Sequence, residues 1–176
     1  MPIKYYRCST VKELEQILEL QQRNLFANVS EEERKQEGYV TVVHNFEILK
    51  KMNDVCSHII AKDGEKVVGY ALCMHPKFSG EIEVLIPMFR EIDAVIPKDK
   101  KYLAMGQICV DKAYRKKGIF RKLYETMKAE TQAEFVRIIT EVDAKNIRSL
   151  NAHYAIGFKH LKTYSSGGRD WELIEY

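Results

Sequence analysis

No apolar run in this 176-residue sequence approaches the length needed to cross a membrane as a helix, so no membrane partner is expected. Cysteine is sparse. The four residues Cys8, Cys56, Cys73 and Cys109 never form Cys-x-x-Cys and sit mostly in apolar, strand-like surroundings, which suits reduced core thiols rather than a zinc site or a disulfide framework. The five histidines show neither His-x-x-x-His nor Glu-x-x-His spacing, so no metal is implied. A net charge of only +3, with no long basic stripe, argues against nucleic acid as a partner. The opening Met-Pro-Ile-Lys-Tyr-Tyr lacks the apolar core of a secretion signal, so the expected location is cytoplasmic.

What is present is an ordinary globular composition, 45% hydrophobic and 30% charged, which excludes disorder. The length fits one domain spanning residues 1–176, and no repeat, low-complexity tract or linker divides it. Ile3 to Cys8 reads as a strand. Thr10-x-x-Glu13 is a capping box ahead of a helix with Leu14, Ile17 and Leu18 inward. Ser30 repeats the signature for a short helix that Gly38 can end at a left-handed position, and a further helical piece runs from Phe46 to Met52. Val55 to Lys62 and Lys66 to Met74 read as an antiparallel pair around Asp63-Gly64. A loop and a helix after Pro87 lead to a central strand, Tyr102 to Val110. After it come a helix from Gly118 to about Glu130, a parallel strand from Val136 to Val142, a helix capped by Asn146, and strands at 159–164 and 170–175. The class is α/β, with a mixed sheet antiparallel at its ends and parallel across the turn at Gly118.

That turn, Asp111-Lys-Ala-Tyr-Arg115-Lys116-Lys117-Gly118-Ile119-Phe120-Arg121, is the most informative segment. It joins an apolar strand ending Ile108-Cys109-Val110 to an amphipathic helix. The first N–H groups of a helix have no internal partner and the macrodipole is positive there, so an anion can dock on bare backbone. Gly118 lets a phosphate approach without meeting a Cβ, while Arg115, Lys116, Lys117 and Arg121 surround the spot with positive charge. A diphosphate suits it.

A second segment, Asn146-Ile-Arg-Ser149-Leu-Asn151-Ala-His153-Tyr154-Ala-Ile-Gly157-Phe158, follows the next apolar strand. Together the two segments resemble the GCN5-related N-acetyltransferase (GNAT) superfamily. Its first signature, Arg/Gln-x-x-Gly-x-Gly/Ala, is matched by Arg115 and Gly118, with Phe120 standing where a small residue is usual. Its second, Asn-x-x-Ser/Ala with an aromatic residue and Gly-Phe, is matched by Asn146, Ser149, Gly157 and Phe158. His153 stands where many members carry a tyrosine near the thioester, with Tyr154 one residue later. The motif-bearing part spans residues 101–158.

The resemblance implies a GNAT-like fold with acetyl-CoA as cosubstrate and a small-molecule or peptide amine as acceptor, with a homodimer left open. The parallel strands should splay, opening at Val110 and Val142. The pantetheine arm would insert there and pair with the backbone of Ile108, Cys109 and Val110. The turn from Arg115 through Ile119 and Phe120 to Arg121 would hold the pyrophosphate, with Asn146 and Ser149 as further cofactor contacts. Amine acetylation needs a proton acceptor for the amine, oxyanion donors and a proton for the thiolate. Family members often place a glutamate in the strand before the turn, but Tyr102-Leu-Ala-Met-Gly-Gln107 contains none. Glu141 or Asp143 on the neighbouring strand are the candidate bases, and His153 or Tyr154 the candidate donors. Residues 31–53 and 78–88, rich in glutamate, would cover the acceptor side. A non-catalytic coenzyme A or acyl-CoA binding module of the same fold is the alternative.

Overall fold

The structure, a computed structural model, describes residues 2–176. Its first half runs β1 (Lys4–Arg7), α1 (Val11–Asn24), α2 (Glu31–Glu37), α3 (Phe46–Val55), β2 (Ile59–Asp63), β3 (Lys66–Met74) and α4 (Ile86–Val95). The second half runs β4 (Tyr102–Val110), α5 (Ile119–Thr131), β5 (Arg137–Asp143), α6 (Ile147–Ala155), β6 (Lys159–Ser166) and β7 (Arg169–Glu175). All strands join one sheet in the order β1-β2-β3-β4-β5-β7-β6. Among the described strands only β4 and β5 pair parallel, so the expected mixed sheet is present.

Local chemistry accounts for the element starts. At α1 the Thr10 side chain accepts from the Glu13 N–H while the Glu13 carboxylate accepts from the Thr10 N–H, a complete capping box. Asn45 caps α3 by accepting from the Ile48 N–H, and the helix runs to Val55, where the sequence reading begins a strand. Strand β2 therefore starts only at Ile59. Pro87 falls in the first turn of α4, where its missing N–H costs nothing. Gly38 ends α2 at φ 77° and ψ −179°, a glycine-only extended geometry rather than the left-handed helical one expected. A Cβ there would sit 3.0 Å from the Asn146 Oδ1.

Two apolar layers cover the sheet. One face packs on α1, α3 and α4 through Leu14, Leu20, Leu49, Met52 and Ile92. The other packs on α5 and α6 through Ile119, Leu123, Tyr124, Met127 and Leu150. Each large aliphatic side chain so buried contributes about 2 kcal/mol.

The feature that positions the site is the short β4–β5 ladder. It pairs Tyr102 with Arg137, Leu103 with Ile138 and Ala104 with Ile139, then stops. The sheet therefore opens at Met105 and Thr140, several residues before the expected Val110 and Val142. Strand β4 also carries one extra residue between its pairings with Cys73 and Ala71, a bulge at Gly106-Gln107 just past the opening. Beyond Ile139, β5 keeps its pairing with β7 on its other edge while its β4-facing edge is left unpaired. Apolar periodicity alone cannot show that.

Candidate active site

Three clefts meet along the wedge. The first, of about 870 Å³, is lined by Ile108, Cys109, Val110 and the turn Arg115, Lys116, Gly118, Ile119 and Phe120. The second, of about 460 Å³, lies in the wedge and is lined by Gly106, Gln107, Thr140, Glu141, Ser149 and His153. The third, of about 1140 Å³, lies beyond it among Phe26, Val42, Val84, Glu141, Ser166 and Trp171. Ile108 and Ser149 line both the first and the second cleft, and Val42, Glu141 and Trp171 both the second and the third. The three form a passage from the glycine turn through the sheet to its other face.

The glycine turn leaves the start of α5 open. Gly118 sits at φ 77° as the N-cap of α5, with open space where a Cβ would point, and Lys116 is the single non-glycine residue at positive φ among those described, at 61°. Such strain is held where surrounding structure enforces it. The first turn of α5 contains no acidic residue, so the positive end of the helix is left uncompensated. Its leading N–H groups face no earlier turn of helix.

The surrounding cations divide into two kinds. Arg115, expected to supply mobile charge, is pinned: Nε donates to the Val110 carbonyl at 3.2 Å, Nη2 to Asn24 Oδ1 at 2.8 Å, and Nη1 meets Glu37 at 3.2 Å. It clamps the ends of α1 and α2 to β4, which makes it an architectural part of the cleft. Arg121 reaches the Ala155 carbonyl at 3.3 Å, and Lys117 lies over the Tyr114 ring at 4.9 Å, so neither lines the first cleft. Arg148 does line it, with no hydrogen-bond or ion-pair partner among the described residues. Sequence reasoning missed it. Its signal was electrostatic: a cation in the first turn of α6 opposes that helix's dipole and gains nothing there unless an anion arrives.

The chain segment from Tyr39 to Val42 crosses the wedge. The Val42 carbonyl accepts from Gln107 Nε2 at 2.8 Å, and Gln107 Oε1 accepts from the Tyr70 hydroxyl at 2.6 Å. The Tyr39 carbonyl accepts from Asn146 Nδ2 at 3.1 Å, and the Tyr39 hydroxyl donates to Asp143 at 2.9 Å. Asp143 is further paired with Arg169. Asn146 also caps α6, accepting from the Ser149 N–H at 3.4 Å, so its side chain is spent on architecture while still lining the second cleft. Gln107 and Asp143 are likewise committed.

Of the proposed catalytic side chains, the structure separates three. Tyr154 is 40% exposed on the outer face of α6 and lines none of the three clefts, because a step of one residue turns it about 100° from His153. His153 is buried. Its Nδ1 lies 2.7 Å from the Ser149 carbonyl, which can only accept, so Nδ1 carries the hydrogen and Nε2 accepts from the Tyr124 hydroxyl at 2.8 Å. Phe120 and Phe158 pack edge-on against the ring, and burial lowers its pKa to about 4. With both nitrogens engaged, His153 is a buried, neutral residue at the cleft wall. Phe120, in the place usually small, therefore packs on His153 instead of blocking the turn.

Glu141 is different. It lines the second and third clefts, its Oε2 is buried without a hydrogen-bond partner among the described residues, and burial pushes its pKa up to about 8. No cluster of His, Cys, Asp or Glu suited to a metal occurs among the described residues.

The wedge between the parallel strands thus has the glycine turn at one end and an unpartnered carboxylate at the other. The sequence matches the Acetyltransferase (GNAT) family over residues 14–158, and the chain belongs to that family. Solved structures share the fold at low identity. Ard1 from Thermoplasma volcanium superposes with TM-score 0.69 at 12% identity, covering 100% of this chain and 97% of its own. Salmonella typhimurium yncA, a putative acetyltransferase solved with its cofactor acetyl-CoA, gives 0.66 at 12%, covering 100% and 94%. Arabidopsis thaliana Naa50, in complex with the bisubstrate analogue CoA-Ac-MVNAL, gives 0.65 at 14%, covering 100% and 99%. No curated protein matches the sequence significantly.

Proposed function

We propose that this chain transfers the acetyl group of acetyl-CoA to a primary amine of a small molecule or peptide, with Glu141 as the general base. The observation that carries this reading is the position of Glu141, whose carboxylate faces both the wedge and the cleft beyond it and has one buried oxygen unpartnered. Asp143 and His153 on the same wall are committed to other partners, whereas a carboxylate with an unpartnered buried oxygen is free for chemistry.

The residues of the first cleft fit the cosubstrate. The amides at the start of α5 and the cations Lys116 and Arg148 would take its phosphates, and the unpaired edge of β4 at Ile108 to Val110 would hydrogen-bond its pantetheine amides, as an added strand does. Acetyl-CoA, when bound, supplies an activated thioester. The amides of β4 beyond Ala104 lack a β5 partner, and Gly106 and Gln107 at the bulge line the wedge, where their N–H groups would hydrogen-bond a developing oxyanion. Glu141, ionised, accepts the proton of the incoming ammonium so that a neutral amine attacks. The Ser149 hydroxyl, 3.4 Å from His153 Nδ1 and shared by the first two clefts, is the O–H we assign to the departing thiolate. The third cleft receives the acceptor, whose ammonium the carboxylates of Glu83 and Glu141 attract.

Among the described residues no helix is long and apolar enough to cross a membrane, and the four unbridged thiols suit a reducing, cytoplasmic setting. Release of free thiol from acetyl-CoA, followed across a panel of amines, tests the function. Amine-dependent release that Glu141→Gln lowers at least about a hundredfold supports it. Binding of coenzyme A without release from any amine in the panel would leave a binding module instead.

A further inference from the structure

Cys56 ends α3, its N–H still donating to the Met52 carbonyl at 2.9 Å, while Cys73 lies in β3. The β2–β3 ladder pairs Ile59 with Ala71, so two residues further along Cys73 faces the turn that leads out of α3. Its N–H donates to His58 Nδ1 at 3.0 Å, which fixes that turn against the strand. Both side chains belong to the same apolar cluster, and the strand register sets Cys73 opposite the residue that follows Cys56. Cys73 is buried and Cys56 part-exposed. Neither lines any of the three clefts, so whatever this pair does is separate from acetyl transfer.

We propose that Cys56 and Cys73 are a redox modification site, closing to an intramolecular disulfide when a hydroperoxide reaches Cys56. Interaction with the Cys73 side chain holds the Cys56 thiol below its ordinary pKa, with Arg7 adding to the effect against burial and Glu134. Cys73, by contrast, is held well above its ordinary value by Cys56 and by burial. The pair thus has one thiolate-forming partner facing water and one protonated partner behind it, the arrangement of an attacking and a resolving thiol.

The chemistry balances. The Cys56 thiolate attacks a peroxide oxygen, forming S–O and breaking O–O, and the released oxygen takes a proton to leave as water or an alcohol. Cys73 sulfur then displaces the sulfenic hydroxyl, forming S–S and breaking S–O, and its own proton leaves with that hydroxyl as water. Two thiols lose two electrons and the hydroperoxide gains them. Cys8 and Cys109 stay out, each raised to about 12 mainly by burial and lacking a thiol partner among the described residues.

Trypsin places each cysteine in a separate peptide, those of Cys56 and Cys73 being 52–62 and 67–77. The folded full-length protein is treated with hydrogen peroxide, alkylated and digested. The expected result is a 52–62/67–77 peptide linked with loss of two hydrogen atoms, with Cys8 and Cys109 alkylated as before. In Cys73→Ser the linked peptide disappears and Cys56 is captured by dimedone as its sulfenic acid. In the untreated protein Cys56 should alkylate at least about tenfold faster than Cys8. Cys56 and Cys73 both fully alkylated after peroxide, or Cys56 carried to sulfinic acid without the linked peptide, overturns the proposal.

Discussion

Thr140 donates its hydroxyl to the Met105 carbonyl at 2.8 Å, at the point where β4 and β5 part. One residue earlier, Ala104 and Ile139 still pair through their backbones. At Met105 the strands are diverging, and the side chain spans a gap that the N–H of the next residue no longer closes. Both residues are buried, so the bond satisfies a carbonyl that water would not reach. Replacing Thr140 by the isosteric Val leaves that carbonyl unpaired at a cost of about 1–2 kcal/mol. Denaturant unfolding should show that loss. Acetyl transfer should fall through kcat more than through the acetyl-CoA KM, because the vertex sits at the acyl end of the wedge; an unchanged kcat with intact stability would remove Thr140 from the site.

Gly118→Val should weaken coenzyme A binding at least tenfold, about 1.4 kcal/mol, because its Cβ would enter the space left open for a phosphate. Since Gly118 sits at φ 77°, the variant should also melt lower without ligand. Gly118→Asn, whose residue type tolerates positive φ, separates the effects: it should recover the melting temperature but not the affinity in calorimetry.

Arg148 gives the opposite pairing of stability and binding. As an unpartnered cation at the start of α6 it opposes the helix dipole, so Arg148→Glu should raise unliganded stability by about 0.3–1 kcal/mol while reducing coenzyme A affinity. Affinity of the wild type should fall with added salt and that of the variant less so. Equal affinity in the two proteins would place the phosphates elsewhere.

The contrast between Arg115 and Arg148 shows what the sequence could carry. The glycine turn, its helix and the capping asparagine are local, and each follows from neighbouring residues within a turn. Arg115 matched a signature position, yet its partners Asn24 and Glu37 lie far back in the chain, so its clamp was invisible in one dimension. The opening of the sheet at Met105 is where the β4–β5 ladder ends and β4 bulges against β3, a matter of register between strands that local periodicity does not show. The role of His153 turned on which way one face of α6 points. Glu141 was readable as a strand-end carboxylate, but its isolation from every partner is a property of the folded wedge.

Three buried histidines should make the fold acid-labile. Burial lowers His44, His58 and His153 from 6.5 to about 4. Between those values the unfolded chain binds protons that the native state refuses, so stability is full above pH 6.5 and declines as pH falls toward 4. Melting temperature should drop over that range. His153→Phe should flatten part of the decline and destabilise the protein at pH 7.5 by leaving the Tyr124 hydroxyl unpaired, with kcat changed severalfold at most. A hundredfold loss of kcat in a folded His153→Phe protein would return the residue to catalysis.

Glu141 carries the opposite pH sign. Burial raises its carboxyl from 4.5 to about 8, so at pH 7 it is largely protonated and a base only in its ionised fraction. Activity under subsaturating acceptor should therefore rise with pH through about 8, and the stronger basicity that burial confers then matches the task of deprotonating an ammonium. The same shift acts on stability: from pH 4.5 to 8 the native state holds a proton that the unfolded chain has released, so this group makes the fold less stable as pH rises. Glu141→Gln removes both effects. Its melting temperature should exceed that of the wild type by a margin that grows from pH 5 to pH 8, while its rate loses the limb near pH 8 and falls at least about a hundredfold. A variant that keeps the wild-type pH limb would mean that the base lies elsewhere in the passage, even if the stability margin appears as expected.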